Sequence, residues 1–172
     1  YDKANKRILI VLPSKRKLKI MNEKVKKIVR DGYDTIAEQY LATRHEELEE
    51  MTLLQAFAER IPEGGRVLDA GCGAGVPFTQ YLSQSFKVIG VDISPKQIEL
   101  AKDFVPDAVF YCHDIADVLF PDNSLDGIIC YHVMNHIPRE GQKGIIINFY
   151  RMLKEGGYLL INFATTDDPG TI

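Results

Sequence analysis

Three glycines at alternate positions, Gly71, Gly73 and Gly75, follow Asp69 and separate a short apolar run from a helical one. Glycine tolerates positive φ and has no Cβ, so such a loop bends sharply and lets a ligand approach the backbone closely. With a helix N-terminus behind it, free N–H groups and a positive dipole end face that ligand, and the result is a nucleotide-type site. Asp92 follows 17 residues after Gly75, at the tip of the next apolar run. A carboxylate there accepts hydrogen bonds from ribose hydroxyls; capping of the following helix is the other role open to it. Further on, His132 and His136 lie four apart. An imidazole titrates near neutral pH and suits general-base work, although a histidine packed beneath the following helix is the alternative for His136. The same spacing would suit a metal pair on a helix. No third ligand follows and Pro138 breaks the helix, so no metal site is expected.

The glycine spacing narrows the ligand. A dinucleotide loop reads G-x-G-x-x-G, whereas the run from Gly71 reads G-C-G-A-G-V, with Val76 in the sixth place. No G-K-[ST] follows, which excludes a P-loop. Asp69 would repel a diphosphate and favours a ligand that carries positive charge. A nicotinamide oxidoreductase is therefore the weaker reading.

The elements that position these residues alternate between strand and helix. Residues 66–68 read as a buried strand and 77–82 as the helix behind the loop. Lys87–Asp92 reads as a second strand, and Ser94 with Pro95 opens the next helix as N-cap and first position. Strands are expected at 108–112 and 127–130, then a helix with Ile145, Ile146, Phe149 and Leu153 on one face. Gly156-Gly157 is expected to end that helix, with a fifth strand at 158–163. This alternation implies an α/β fold with a mostly parallel sheet and helices on both faces. Ahead of it, residues 22–60 are helical in pattern, with Asn22 as a possible cap, Gly32 as a break, and Leu48, Met51, Leu54 and Phe57 as a later stripe. Tyr33 and Tyr40 lie seven apart, on one helix face, either over a site or in the core. The organisation expected is a basic extension at 1–20, with strands at 7–12 and 17–20, a helical cap at 21–65 and the ligand-binding core at 66–172.

The run Leu68-Asp69-Ala70-Gly71-Cys72-Gly73-Ala74-Gly75 closely resembles the first motif of the class I S-adenosylmethionine-dependent methyltransferases. The runs Y-D-T-I-A-E-Q-Y from Tyr33, V-D-I-S-P from Val91, H-I-P-R-E from His136 and L-K-E-G-G-Y-L-L-I from Leu153 continue it, over residues 33–165. The resemblance implies a Rossmann-like doubly wound fold and S-adenosylmethionine as cofactor, with S-adenosylhomocysteine as product. The cofactor's ammonium and sulfonium fit Asp69. It implies cofactor contacts at Tyr33, Asp69, Gly71, Cys72, Gly73, Gly75, Asp92, Ile93, Gln97, Asp114, Ile115, Cys130 and Tyr131. In such a site Asp114 accepts from the adenine amine and Ile115 lies near the ring. Gln97 stands where many members carry a methionine packed on the adenine. Tyr40, His132 and His136 are expected around the acceptor, as the catalytic candidates. The implied reaction moves a methyl group to an O, N or C atom of a small organic acceptor by in-line displacement; a non-catalytic or truncated cofactor-binding domain is the alternative. Members of this class add a helix and an antiparallel strand pair after the fifth strand, and this sequence stops short of them. The expectation is that residues 7–12 and 17–20 supply a substitute pair, or that a second copy of the chain covers the edge.

Composition is that of an ordinary globular protein, 45% apolar and 26% charged over 172 residues. A net charge of −3 gives no electrostatic reason to expect a nucleic-acid partner. The three cysteines, Cys72, Cys112 and Cys130, follow no metal-ligand spacing and read as reduced thiols of a cytoplasmic protein. No apolar run is long enough to suggest a membrane span.

Overall fold

Val67, Leu68 and Ala70 are buried in succession, and so are Ile128, Ile129 and Cys130. Buried runs of this kind, interrupted in the first only by the buried Asp69, belong to parallel strands covered on both faces. The computed structural model describes residues 15–43 and 48–163. In chain order the elements are α1 (Lys15–Thr43), α2 (Leu48–Ala58), β1 (Arg66–Ala70), α3 (Phe78–Ser83), β2 (Lys87–Asp92), α4 (Pro95–Phe104), β3 (Val109–Cys112), β4 (Leu125–Cys130), α5 (Arg139–Met152) and β5 (Leu153–Ile161). A single 3-10 turn, Met134–His136, joins β4 to α5.

The strands form one sheet in the order β3-β2-β1-β4-β5 with every pairing parallel. Chain direction across the sheet reverses between β1 and β4, which opens a crevice at their carboxyl ends. The two faces carry separate cores. Leu68, Val91 and Ile128 pack with Ile145, Phe149 and Met152 of α5 on one face. Val67, Val88 and Ile129 pack with Leu54 and Phe57 of α2 and with Phe78 and Leu82 of α3 on the other. Alternate residues of one strand thus feed opposite layers, as a two-sided sheet requires.

The expected fold class holds, and four local expectations do not. Residues 17–20 are not a strand but part of α1, which begins at Lys15, so Asn22 lies inside a helix and not at its cap. Gly32 does not stop that helix, which runs on to Thr43. No neighbour crowds the position of its missing Cβ. The fifth strand starts at Leu153, directly after α5, and Gly156 (φ +76°) sits inside it near a register shift against β4. The expected strand at 7–12 lies outside the described residues. Among the described residues no helix is long and apolar enough to cross a membrane.

Candidate functional site

The glycine loop after β1 has the backbone its composition demands. Gly71, Gly73 and Gly75 all take positive φ, at +87°, +53° and +78°. Their surroundings differ. A Cβ on Gly71 would lie 2.1 Å from Val133 Cγ2, so the loop passes hard against the segment after β4. Gly71 and Gly73 line a cavity of about 170 Å³ at the carboxyl edge of the sheet. Gly75 does not line it; its missing Cβ points at Val105, Phe110 and Ala101 under α4.

Asp69, Asp92 and Asp114 bring carboxylates to this cavity, with Lys26 the sole lysine or arginine of its wall among the described residues. Asp69 is buried and accepts from Thr79 Oγ1 at 2.6 Å, which fixes it beneath the loop. Asp92 accepts from Gly73 N through Oδ2 and from Ser94 N through Oδ1, each at 2.9 Å. Asp92 thus tethers the glycine loop, a role beyond the two expected of it, and its oxygens can still accept from a hydroxyl. Burial pushes the Asp92 carboxyl up; N–H groups of Ser94, Gly73 and Ile93 oppose that, and nearby Asp34 adds to it. Ser94 caps α4 as expected, accepting from Gln97 N at 3.1 Å. Asp114 accepts from Ala116 N at 2.9 Å and pairs through its other oxygen with Lys26 of α1. Burial works to lower the Lys26 ammonium, but its hydrogen bond and attraction to Asp114, with Asp117 and Glu23 behind it, raise it overall.

Of the other expected residues, Tyr33, Cys72, Ile93, Gln97, Ile115, Tyr131, His132 and His136 all line the cavity. Cys130 does not: it is fully buried in the α5-side core, and burial drives its thiol up to about 12. Tyr40 lies within α1, and its side chain is outside the described residues. The Gln97 side chain is buried with no hydrogen-bond partner for its amide.

The two histidines sit in different settings. His132 takes φ +59°, and its backbone N donates to Asn162 Oδ1 at 2.7 Å. Its Nε2 contacts the buried Glu50 carboxylate of α2. His136 Nε2 lies 3.0 Å from Tyr33 Oη, and the two rings meet edge to face at 5.5 Å. Burial, and secondarily His132, lowers the His136 pKa below the usual 6.5. The neutral ring is therefore the form the fold favours. The stability this contributes is full above pH 6.5 and is lost as pH falls through the lowered folded value. We expect the His136 ring resonances in a proton NMR titration to move with a midpoint below 6.5; a midpoint at or above it would contradict the buried setting.

Residues to which the sequence assigned no role support the site. Asp34 of α1 accepts from Ser94 Oγ at 2.5 Å and from Lys96 N at 3.3 Å, so one helix caps another. Lys26, Glu50 and Asn162 join it. Asp34 stands inside the Y-D-T-I-A-E-Q-Y run, which was its one visible signal; the other three had none.

Residues 68–161 match the family described as Methyltransferase domain. A tRNA (carboxymethyluridine(34)-5-O)-methyltransferase of Arabidopsis thaliana is 31% identical over 149 residues, covering 85% of this chain and 35% of the relative. A magnesium-protoporphyrin O-methyltransferase of Rhodobacter capsulatus is 33% identical over 99 residues, covering 55% of this chain and 38% of the relative. The chain thus spans little more than a third of the length of these two relatives. The crystal structure of a TehB-like SAM-dependent methyltransferase from Corynebacterium glutamicum superposes with a TM-score of 0.65 at 26% identity, over 85% of this chain and 77% of that one. Since the matched stretch is more than half of the chain and holds β1 to β5 with the glycine loop between them, the protein belongs to the methyltransferase domain family, the class I S-adenosylmethionine-dependent methyltransferases.

Proposed function

We propose that this protein transfers the methyl group of S-adenosylmethionine to an O, N or C atom of a small organic acceptor. The carrying observation is the charge of the cavity, with Asp69, Asp92 and Asp114 set against Lys26 at the mouth of a glycine loop. That set fits a ligand with an ammonium and a sulfonium and repels a diphosphate. Asp69 and the N–H groups of the loop face the amino-acid part, Asp92 takes the ribose hydroxyls, and Asp114 accepts from the adenine amine, with Ile115 and Gln97 near the ring. When bound, the cofactor supplies a methyl carbon already activated by its sulfonium. The protein's part is to align the acceptor, with reacting atoms about 3–3.5 Å apart, and to keep water out. Tyr33, Tyr131, His132 and His136 form the acceptor side, with Tyr40 of α1 as a further candidate.

Relatives named for small acceptors support this reading, among them the magnesium-protoporphyrin enzyme and a 2-methyl-6-phytyl-1,4-hydroquinone methyltransferase of Synechocystis. The Arabidopsis relative is named for tRNA. Against a nucleic-acid acceptor here stands a net charge of −3, where phosphate contacts call for a basic surface. The free thiols of Cys72, Cys112 and Cys130 support a reducing compartment such as the cytoplasm.

Calorimetric titration with S-adenosylmethionine and S-adenosylhomocysteine tests the assignment. Micromolar binding is expected, with none for NADH. Asp92→Ala is expected to weaken it tenfold or more, about 1.4 kcal/mol. A folded chain that binds neither compound would sink the proposal.

A further inference from the structure

Two histidines line the cavity, and the chain treats them unequally. Behind His136 stands a phenol, Tyr33 Oη at 3.0 Å. Behind His132 stands a carboxylate, Glu50, in the first turn of α2 and 82 residues away in sequence. Glu50 is buried, while the His132 side chain keeps 40% of its surface open. A carboxylate only accepts, so the nitrogen facing it, Nε2, carries the proton. In the neutral ring the lone pair is then on Nδ1, where Asn162 Nδ2 lies at a distant 3.5 Å. The amide oxygen of the same Asn162 holds the His132 backbone N–H at 2.7 Å. Both ends of the residue are thus fixed, and the basic nitrogen has one weak partner. A tether between α2 and β4 would need no imidazole in a cavity wall, nor a histidine held at φ +59°. A base oriented by a third group is the arrangement that nucleophile activation uses.

We propose that Glu50 is the positioning residue of a Glu50–His132 pair in which His132 is the general base, and that the acceptor is one whose reacting atom carries a proton, a hydroxyl or an amine. The proposal rests on the methyltransferase reading of the same cavity. In the step, the acceptor's lone pair forms a bond to the methyl carbon as the carbon–sulfur bond breaks and its electron pair passes to sulfur. The acceptor's proton moves to His132 Nδ1. The imidazolium, paired with the Glu50 carboxylate, gives that proton to solvent after the products leave. A carboxylate acceptor, already deprotonated, would give such a base nothing to remove.

Long-range ¹H–¹⁵N spectra of the full chain test the pair without any acceptor. The wild type is expected to show His132 protonated at Nε2 and bare at Nδ1, Glu50→Gln a mixture of tautomers, and Glu50→Asp a partial return. Transfer of labelled methyl from S-adenosylmethionine to a phenol, an aliphatic alcohol and an amine is then compared. In Glu50→Gln, kcat is expected to fall about 100-fold, with KM for S-adenosylmethionine and affinity for S-adenosylhomocysteine within twofold. A wild-type His132 protonated at Nδ1, a tautomer unchanged in a folded Glu50→Gln, or transfer that survives that substitution would overturn the proposal. Absence of S-adenosylhomocysteine binding by the wild type would instead sink the methyltransferase reading, and the tautomer spectra would still decide the pair.

Discussion

Gly71→Ala is expected to abolish measurable S-adenosylhomocysteine binding and to destabilise the fold by about 3 kcal/mol. The figure sums about 1–2 kcal/mol for an L-residue forced to positive φ and about 1–3 kcal/mol for overpacking. The first applies because Gly71 sits at φ +87°. The second applies because the new Cβ would fall 2.1 Å from Val133 Cγ2. Relief by a backbone change is blocked, since Gly71 N donates to Val91 O at 2.7 Å and ties the loop to β2. Relief by Val133 would displace a residue that both lines the cavity and packs against the α5-side core. Either adjustment reshapes the site, so loss of binding follows whichever way the strain resolves. Urea denaturation and calorimetry read the two effects. Gly144→Ala is the control: the position is helical, with nothing within 4 Å of the added methyl. It should gain up to about 1 kcal/mol and leave binding alone. Binding by Gly71→Ala within threefold of wild type would contradict the close approach.

Phe149→Ala should cost about 3–5 kcal/mol, a large part of the 5–15 kcal/mol that holds a typical domain together. Phe149 is fully buried on α5 among Leu68, Ile128 and Met152, where the sheet cannot move in to fill the space. Its neighbour Tyr150 is 81% exposed, and Tyr150→Ala should lie within about 0.5 kcal/mol of wild type. The loss should reach the site as well. Ile145, one turn earlier on the same face, belongs to that core and also lines the cavity. Weaker S-adenosylhomocysteine binding is therefore expected together with the lower denaturation midpoint. A cost under 1 kcal/mol would mean that α5 collapses onto the sheet far more readily than its packing implies.

Much of the site was legible because its chemistry is local. The loop after β1 needs glycine for its backbone, Asp92 ends a strand whose bounds, Lys87–Asp92, were read as the structure has them, and Ser94 with Pro95 starts a helix by rules that span four residues. Gly75 was legible as a loop glycine but not in its role, since only the packing of α4 shows that it faces Val105 and Phe110 instead of the cavity. The direction of Cys130 was not legible for the same reason, because its turn toward the α5 core depends on which face each strand residue takes.

The sequence by itself determined the parallel α/β sheet, the acid-lined glycine loop and the two histidines at the end of β4. Tertiary structure alone decided how the N-terminal helix closes over them. Gly32 lowers helix propensity by about 1 kcal/mol, yet α1 runs through it, held on either side by Lys26 with Asp114, Tyr33 with His136 and Asp34 with Ser94. The start of β5 at Leu153 was likewise set by pairing with Leu125, not by the glycines beyond it. Glu50 left no trace in any motif, because its partner lies 82 residues away. Spacing along the chain encodes backbone conformation and local hydrogen bonds. Which side chains meet across the cavity depends on the packing of whole helices on the sheet, and no short stretch of sequence carries that.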